Sequence, residues 1–204
     1  MVVLSNSIDI SDEQKERSAV FVRFIDILFA VVLGQSFVFL SSERGVSVWI
    51  AAPSQNLVAL ADVCLAYALV VTSWVGYHYS TTKLPMKNVL RFVIDIALLF
   101  LYYLAFVNVQ SFAVTSIILF FVFLLYFVWN GVRLFEYPNE RQRLDLVGRA
   151  SEAGGFAIVF LVIALLRQMY SNPQLEGALL LASGILLIWY RVLYWGGPKE
   201  RKSK

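Results

Sequence analysis

Charged side chains lie inside the apolar segments of this chain, where they are able to form a buried polar network. Arg23 and Asp26 stand three positions apart in the first turns of the apolar run AVFVRFIDILFAVVLGQSFVFLS. A charge at membrane depth costs about 2.5–3.5 kcal/mol on insertion scales, so such groups usually face the interior of a helix bundle and pair there. The charged pair therefore predicts that neighbouring helices supply polar partners.

Suitable partners occur in the next two apolar segments. Trp74 and His78 lie near the end of the second segment, and Arg91 and Asp95 lie near the start of the third. Because successive spans run in opposite directions, these residues reach the same depth as the charged pair of the first segment. The planar fork of arginine binds a carboxylate at two points while staying charged. The sequence predicts one interhelical network, made of Arg23, Asp26, Trp74, His78, Arg91 and Asp95, and favours a packing role for it over direct chemistry.

Catalytic and metal-binding motifs are missing from the sequence. His78 is the only histidine, and the only cysteine, Cys64, lies more than three helical turns away, which excludes a zinc-type ligand spacing. There is no nucleophile elbow, phosphate-binding loop, dinucleotide fingerprint or carbonyl-filter sequence. We therefore predict no enzyme activity, no cofactor and no metal. His78 is either a hydrogen-bonded structural imidazole or a pH sensor, and Asp62 either lines an outer vestibule or caps a helix.

The outer part of the first apolar segment has a second pattern. Leu28, Val31, Gln35 and Val38 share one helical face at coiled-coil-like spacing, and Gly34 lies on the adjacent face. Small residues allow neighbouring helices to approach closely. Two interpretations stay open: a narrow, hydrophobically gated pore on an oligomer axis, or ordinary helix packing, which the residues by themselves favour.

The composition sets the class of protein that these segments build. Of 204 residues, 59% are hydrophobic and 15% are charged, whereas a soluble domain is about 45–50% apolar. Mean hydropathy is +0.71. These values indicate an all-α, multi-pass protein embedded in a lipid bilayer. The net charge of +3 is spread over membrane flanks, so we expect no nucleic-acid partner.

Six apolar segments of spanning length set the predicted topology. They cover about residues 18–41, 56–79, 89–107, 112–132, 155–170 and 177–194. Residues 1–17 form a polar N-terminal segment, 18–195 the membrane domain and 196–204 a basic tail. Lys and Arg concentrate on the side of the two termini, which predicts cytosolic termini in the cell (inner) membrane. The first span is expected to act as an uncleaved anchor, and the polar stretch 133–155 to be partly helical along the membrane face.

Motif residues in the first three spans resemble a known channel family. The Phe-Ile-Asp at 24–26, followed by Phe-Ala-Val at 29–31, resembles the Phe-Ser-Asp signature of the lysosomal and prokaryotic potassium channels of the transmembrane protein 175 family. Trp74 and His78 resemble the tryptophan and following histidine of that family's second span. Asp95 stands where the family tends to have an asparagine. The resemblance covers the topology of the whole chain, although few motif residues carry it.

This resemblance implies a homotetramer of six-span subunits in which the first span lines a pore for potassium or other monovalent cations. The family's aliphatic gate falls on Val31 and its nearby threonine on Gly34, so the implied lining residues are Leu28, Val31, Gly34, Gln35 and Val38. The polar network then holds the first span in place. Ile25 replaces the family's serine, and Arg23 directly precedes the phenylalanine where the family's arginine stands a turn earlier.

Two other functions are compatible with the same sequence. One is a non-conducting membrane sensor or scaffold, such as the membrane component of a bacterial stress or phage-defence system. Its charged segment 133–152 and basic tail are then expected to dock a cytosolic protein. The other is a transporter using Asp62 and Asp95, although the interrupted half-helices typical of transporter sites are missing from the spans.

Overall fold

The described part of the chain is entirely helical. The computed structural model describes residues 12–41, 57–83, 86–109, 111–137, 140–170 and 172–195. The helices are α1 (Asp12–Ser41), α2 (Leu57–Lys83), α3 (Val89–Val107), α4 (Phe112–Glu136), α5 (Glu140–Met169) and α6 (Pro173–Trp195). All 6 contain a stretch long and apolar enough to cross a membrane. The predicted all-helical fold with six candidate spans is confirmed, and the orientation and the tetramer remain predictions.

The helix bounds lie within about six residues of the predicted spans except at the start of α5. The predicted and observed bounds of α3 are identical, whereas α5 begins at Glu140 and includes the polar stretch that we expected to lie along the membrane face. Leu146, Ala150 and Ala153 are buried at spacings of four and three, so one face of this polar stretch packs inward and continues the helix. At 30 residues, α5 is about 45 Å long. This exceeds the hydrocarbon core of about 30 Å.

Consecutive helices run antiparallel. The start of α1 contacts the end of α2 through Asp26 and His78, and the start of α3 contacts the end of α4 through Arg91 and Glu136. We call this end of the bundle the N side, because α1, α3 and α5 begin there. It corresponds to the predicted cytosolic face. The segments 1–11 and 196–204, which include the predicted basic tail, lie outside the described residues.

The contacts between helices place α1 at the edge of the bundle. It packs on α2 and α3, while α4 packs between α3 and α5, and α6 packs on α2 and α5. Stacked rings join α4 to α5, with the Phe123 and Phe160 centroids 5.0 Å apart. A Cβ atom added at Gly154 would lie 3.2 Å from the Phe127 ring, so this glycine permits the close α4–α5 approach. Because α1 lies at the edge, one of its faces packs on the bundle and the other points outward.

Candidate functional site

A cluster of three side chains joins α1 to α2 at the N side. Asp26 Oδ1 accepts a hydrogen bond of 3.0 Å from Trp74 Nε1 and lies 2.7 Å from His78 Nε2. Trp74 and His78 are four positions apart, so they share a face of α2, and their rings meet edge-on with centroids 5.4 Å apart. We call these residues the Asp26 cluster. One carboxylate oxygen of Asp26 therefore contacts both side chains of the neighbouring helix.

The Asp26 cluster opens to the outside of the bundle. The side chains of His78 and Asp26 are 41% and 35% exposed, and Trp74 is also exposed. Asp26 lies ten residues into the candidate span Glu16–Ser41, which places it about 15 Å along the span. Acidic groups at such depth avoid lipid and face protein or water. The open side of the cluster therefore calls for a second copy or an aqueous path beside it.

Arg91 and Asp95 belong to a different cluster, between α3 and α4. Arg91 Nη1 donates to Glu136 Oε2 at 2.7 Å, and the two side chains are only 0% and 4% exposed. Glu136 Oε1 also accepts from the backbone N–H of Asn88 at 2.7 Å, at the start of α3. The Arg91 guanidinium lies 4.6 Å from the Trp129 ring centroid, and Asp95 is buried beside both residues. This ion pair fixes α3 against α4.

Tyr137 lies just beyond the end of α4, beside the Arg91–Glu136 ion pair. Its ring is buried, and the Lys87 ammonium lies 4.4 Å from the ring centroid. Burial is the main cause that raises the pKa of Tyr137 above its ordinary value. Its phenol therefore stays neutral at physiological pH.

Arg23 joins neither cluster among the described residues. Ile25 and Phe29 bury one face of α1 against the bundle, and Arg23 lies two positions before Ile25. Two residues correspond to about 200° around a helix, so Arg23 points away from the bundle and is exposed. The single network expected from the sequence is thus divided. Asp26, Trp74 and His78 meet, Arg91 and Asp95 meet elsewhere, and Arg23 lies apart.

The predicted pore-lining residues mostly lie on the outward face of α1. Val31 and Val38 are 52% and 63% exposed. Gly34 and Gln35 are also exposed, whereas Leu28 is half-buried at the edge of the face. The opposite face packs on the bundle and contains Ile25, Phe29, Val32, Ser36 and Leu40. Gln35 therefore presents an amide on an outward face that is otherwise apolar from Leu28 to Val38, and exposed Arg23 lies on the outward side nearer the N side.

Arg191 is the buried cation that the sequence reasoning missed. Its Nη2 atom donates to Ser73 Oγ at 2.5 Å and to Tyr126 OH at 2.8 Å, and its Nε donates to Thr72 Oγ1 at 3.0 Å. Tyr126 OH also lies 2.7 Å from Tyr102 OH. The sequence contained a signal for this residue, because Arg191 lies inside the apolar run ILLIWYRVLYW of the last span. The same pattern, an arginine inside an apolar run, drew attention to the first span.

Asp62 holds two helices together away from the N side. It is fully buried on α2, and its Oδ2 accepts from Thr115 Oγ1 of α4 at 3.0 Å. This contact favours a packing role over an open vestibule. Within the described ranges, His, Cys, Asp and Glu side chains form no group of three or more suited to a metal ion.

Comparisons with protein-family models, with curated proteins and with solved structures found no match for this chain. The functional assignment therefore rests on residues and geometry.

Proposed function

We propose that the chain assembles around α1 into an oligomer, a tetramer by the family resemblance, that conducts monovalent cations along α1. The observation that carries this proposal is the outward stripe of α1. There the exposed amide of Gln35 lies between exposed Val31 and Val38.

The polarity of this stripe supports an axis over a lipid-facing surface. Polar groups in hydrocarbon need partners, because lipid supplies neither donors nor acceptors. Around a closed symmetry axis, the same residue of every copy meets its equivalents. The Gln35 amides would then face one another or water, and Gly34, which adds no side-chain bulk, permits close approach.

The stripe supplies two parts of the conduction path. Trp74 and His78 hold the Asp26 carboxylate on the α2 side of α1, about 180° from Gln35, so Asp26 anchors the helix and does not line the path. Val31 follows five residues later, about 7.5 Å along the helix, and a ring of such side chains forms an apolar constriction that gates by dewetting. Gln35 lies one turn further and offers amide oxygens to a partly dehydrated cation.

Ion flux into liposomes tests this proposal with a matched pair of variants. Val31→Ala widens the proposed constriction, whereas Val32→Ala shortens the next side chain, which is buried against the bundle. We expect wild-type protein to pass potassium, Val31→Ala and Val31→Asn to raise the flux or relax selectivity, and Val32→Ala to leave both unchanged. The channel proposal fails if neither wild type nor the Val31 variants conduct.

The scaffold function is favoured by one observation at the N side. α5 extends beyond the length of a span, and its Leu144 is 78% exposed near the Asp145–Arg149 ion pair. Replacing exposed Arg143, Leu144 and Val147 by serine removes this surface and spares buried Leu146. Loss of a co-purifying cytosolic protein, together with zero flux by the wild type, would favour the scaffold.

A further inference from the structure

An internal cavity of about 50 Å³ lies in the core of the bundle, apart from the outward stripe of α1. It is lined by residues of α1, α2, α3, α4 and α6 near the N side, and all of them except Tyr126 are buried. Its polar walls include Tyr77, Asp95, Trp129, Asn130 and Arg191. One protomer therefore contains a cavity whose mostly apolar wall carries several polar side chains.

Four polar atoms on the walls of this cavity lack a hydrogen-bond partner among the described residues. They are Tyr77 OH, Asp95 Oδ2, Trp129 Nε1 and Asn130 Oδ1. The Trp129 indole lies near the Asp95 carboxylate, but its N–H makes no hydrogen bond of ordinary geometry. A buried polar group left unpaired destabilises the folded state. Such a concentration in one place indicates a bound species that both donates and accepts hydrogen bonds.

The charges around the cavity select the type of occupant. A bare cation would meet the Arg191 guanidinium, and an anion would meet the Asp95 carboxylate, since both residues line the cavity. A water molecule needs about 10–15 Å³ of such volume, so several fit, whereas sites for organic ligands are about 300–1,000 Å³. Neutral water also matches the unpaired donors on Tyr77 and Trp129 and the acceptors on Asp95 and Asn130.

We infer that this cavity binds a cluster of water molecules that joins Asp95 and Asn130 to Tyr77 and Trp129. The cluster adjoins the hydroxyl chain of Tyr102, Tyr126 and Ser73 that ends on Arg191. Together they form one hydrogen-bonded path across α2, α3, α4 and α6. This path solvates the Asp95 carboxylate and fixes these helices independently of α1.

Radiolytic hydroxyl labelling in lipid nanodiscs tests the water site, because bound water produces radicals beside side chains that bulk solvent does not reach. Each rate is divided by the rate of the same residue in the denatured chain. We expect rapid labelling of Tyr77 and Trp129 and slow labelling of Phe123 and Phe160, which are fully buried and do not line the cavity. Equal normalised rates for the two groups would overturn the inference.

A variant that fills the cavity, compared with a variant of the neighbouring residue, makes the test more specific. Leu98→Phe adds bulk to a residue that lines the cavity, whereas Leu99→Phe does so at a buried residue of α3 that does not line it. Labelling of Tyr77 and Trp129 should fall only in Leu98→Phe. Equal falls in both variants would contradict the assignment.

Ion replacement gives a second readout. The melting temperatures of the wild type, Leu98→Phe and Leu99→Phe are measured in sodium chloride, potassium chloride, choline chloride and sodium gluconate at equal ionic strength. We expect all three proteins to respond alike to the ions, as for a cavity filled by water. Stabilisation by sodium, potassium or chloride that is lost only in Leu98→Phe would make the occupant an ion and overturn the water site.

Discussion

Glu136→Gln is expected to destabilise the bundle strongly. The two carboxylate oxygens of Glu136 accept separate hydrogen bonds, one from Arg91 and one from the N–H of Asn88. Glutamine keeps one acceptor oxygen and turns its NH₂ group toward a donor, so one of these bonds is lost together with the negative charge. Removing one partner of a buried ion pair costs about 3–5 kcal/mol, and the Arg91 and Glu136 side chains are 0% and 4% exposed.

The assay is the free energy of unfolding from SDS titration in mixed micelles, with Asp145→Asn as the matched control. Asp145 also pairs with an arginine, at 2.9 Å, but its side chain is 44% exposed. Exposed helical pairs of this type contribute about 0.3–0.5 kcal/mol. A Glu136→Gln loss no larger than that of Asp145→Asn would refute the assigned role of the buried pair. Replacing Arg91 by Met and Glu136 by Leu together should cost less than Glu136→Gln alone.

Two further substitutions test how α4 packs on α5 and on α2. Gly154→Leu should lower the free energy of unfolding by about 1–3 kcal/mol through overpacking, because an added Cβ already lies 3.2 Å from the facing ring of α4. Gly155→Leu, where an added Cβ meets nothing within 4 Å, should be neutral or stabilising in the same titration, and equal losses would contradict the close approach. Thr115→Val removes the hydroxyl donor to the buried carboxylate of α2 and should cost about 1–3 kcal/mol. An unchanged thermal midpoint would argue that this carboxylate is protonated or hydrated.

The sequence was sufficient to predict the helices because each span is a long apolar run. The bounds of α3 were predicted to the residue, since polar residues flank it on both sides. The start of α5 was not, because Leu146, Ala150 and Ala153 form a buried face that is scattered among charges. The apolar residues in this polar segment were sufficient to predict partial helix, but not that one face packs inward and continues the span.

The sequence predicted the site only in part, because it does not show how each helix is rotated about its own axis. Trp74 and His78 share a face by their spacing of four, and antiparallel neighbours bring that face to Asp26. The direction of Arg23 depends on which side of α1 packs inward, and apolar residues surround this helix on all sides. The partner of Arg91 was missed because Glu136 stands at the end of α4, where the sequence alone suggests a solvated flank.

Cross-linking between copies tests the central claim, that α1 lies at an oligomer axis. Cys64 is exposed and is first replaced by serine. Gln35→Cys then places a thiol on the outward stripe, and Ser36→Cys places one on the buried face. Treatment of membranes with a short bis-maleimide should link copies carrying Gln35→Cys and leave those carrying Ser36→Cys monomeric. Monomeric Gln35→Cys under the same conditions would contradict an axis lined by α1.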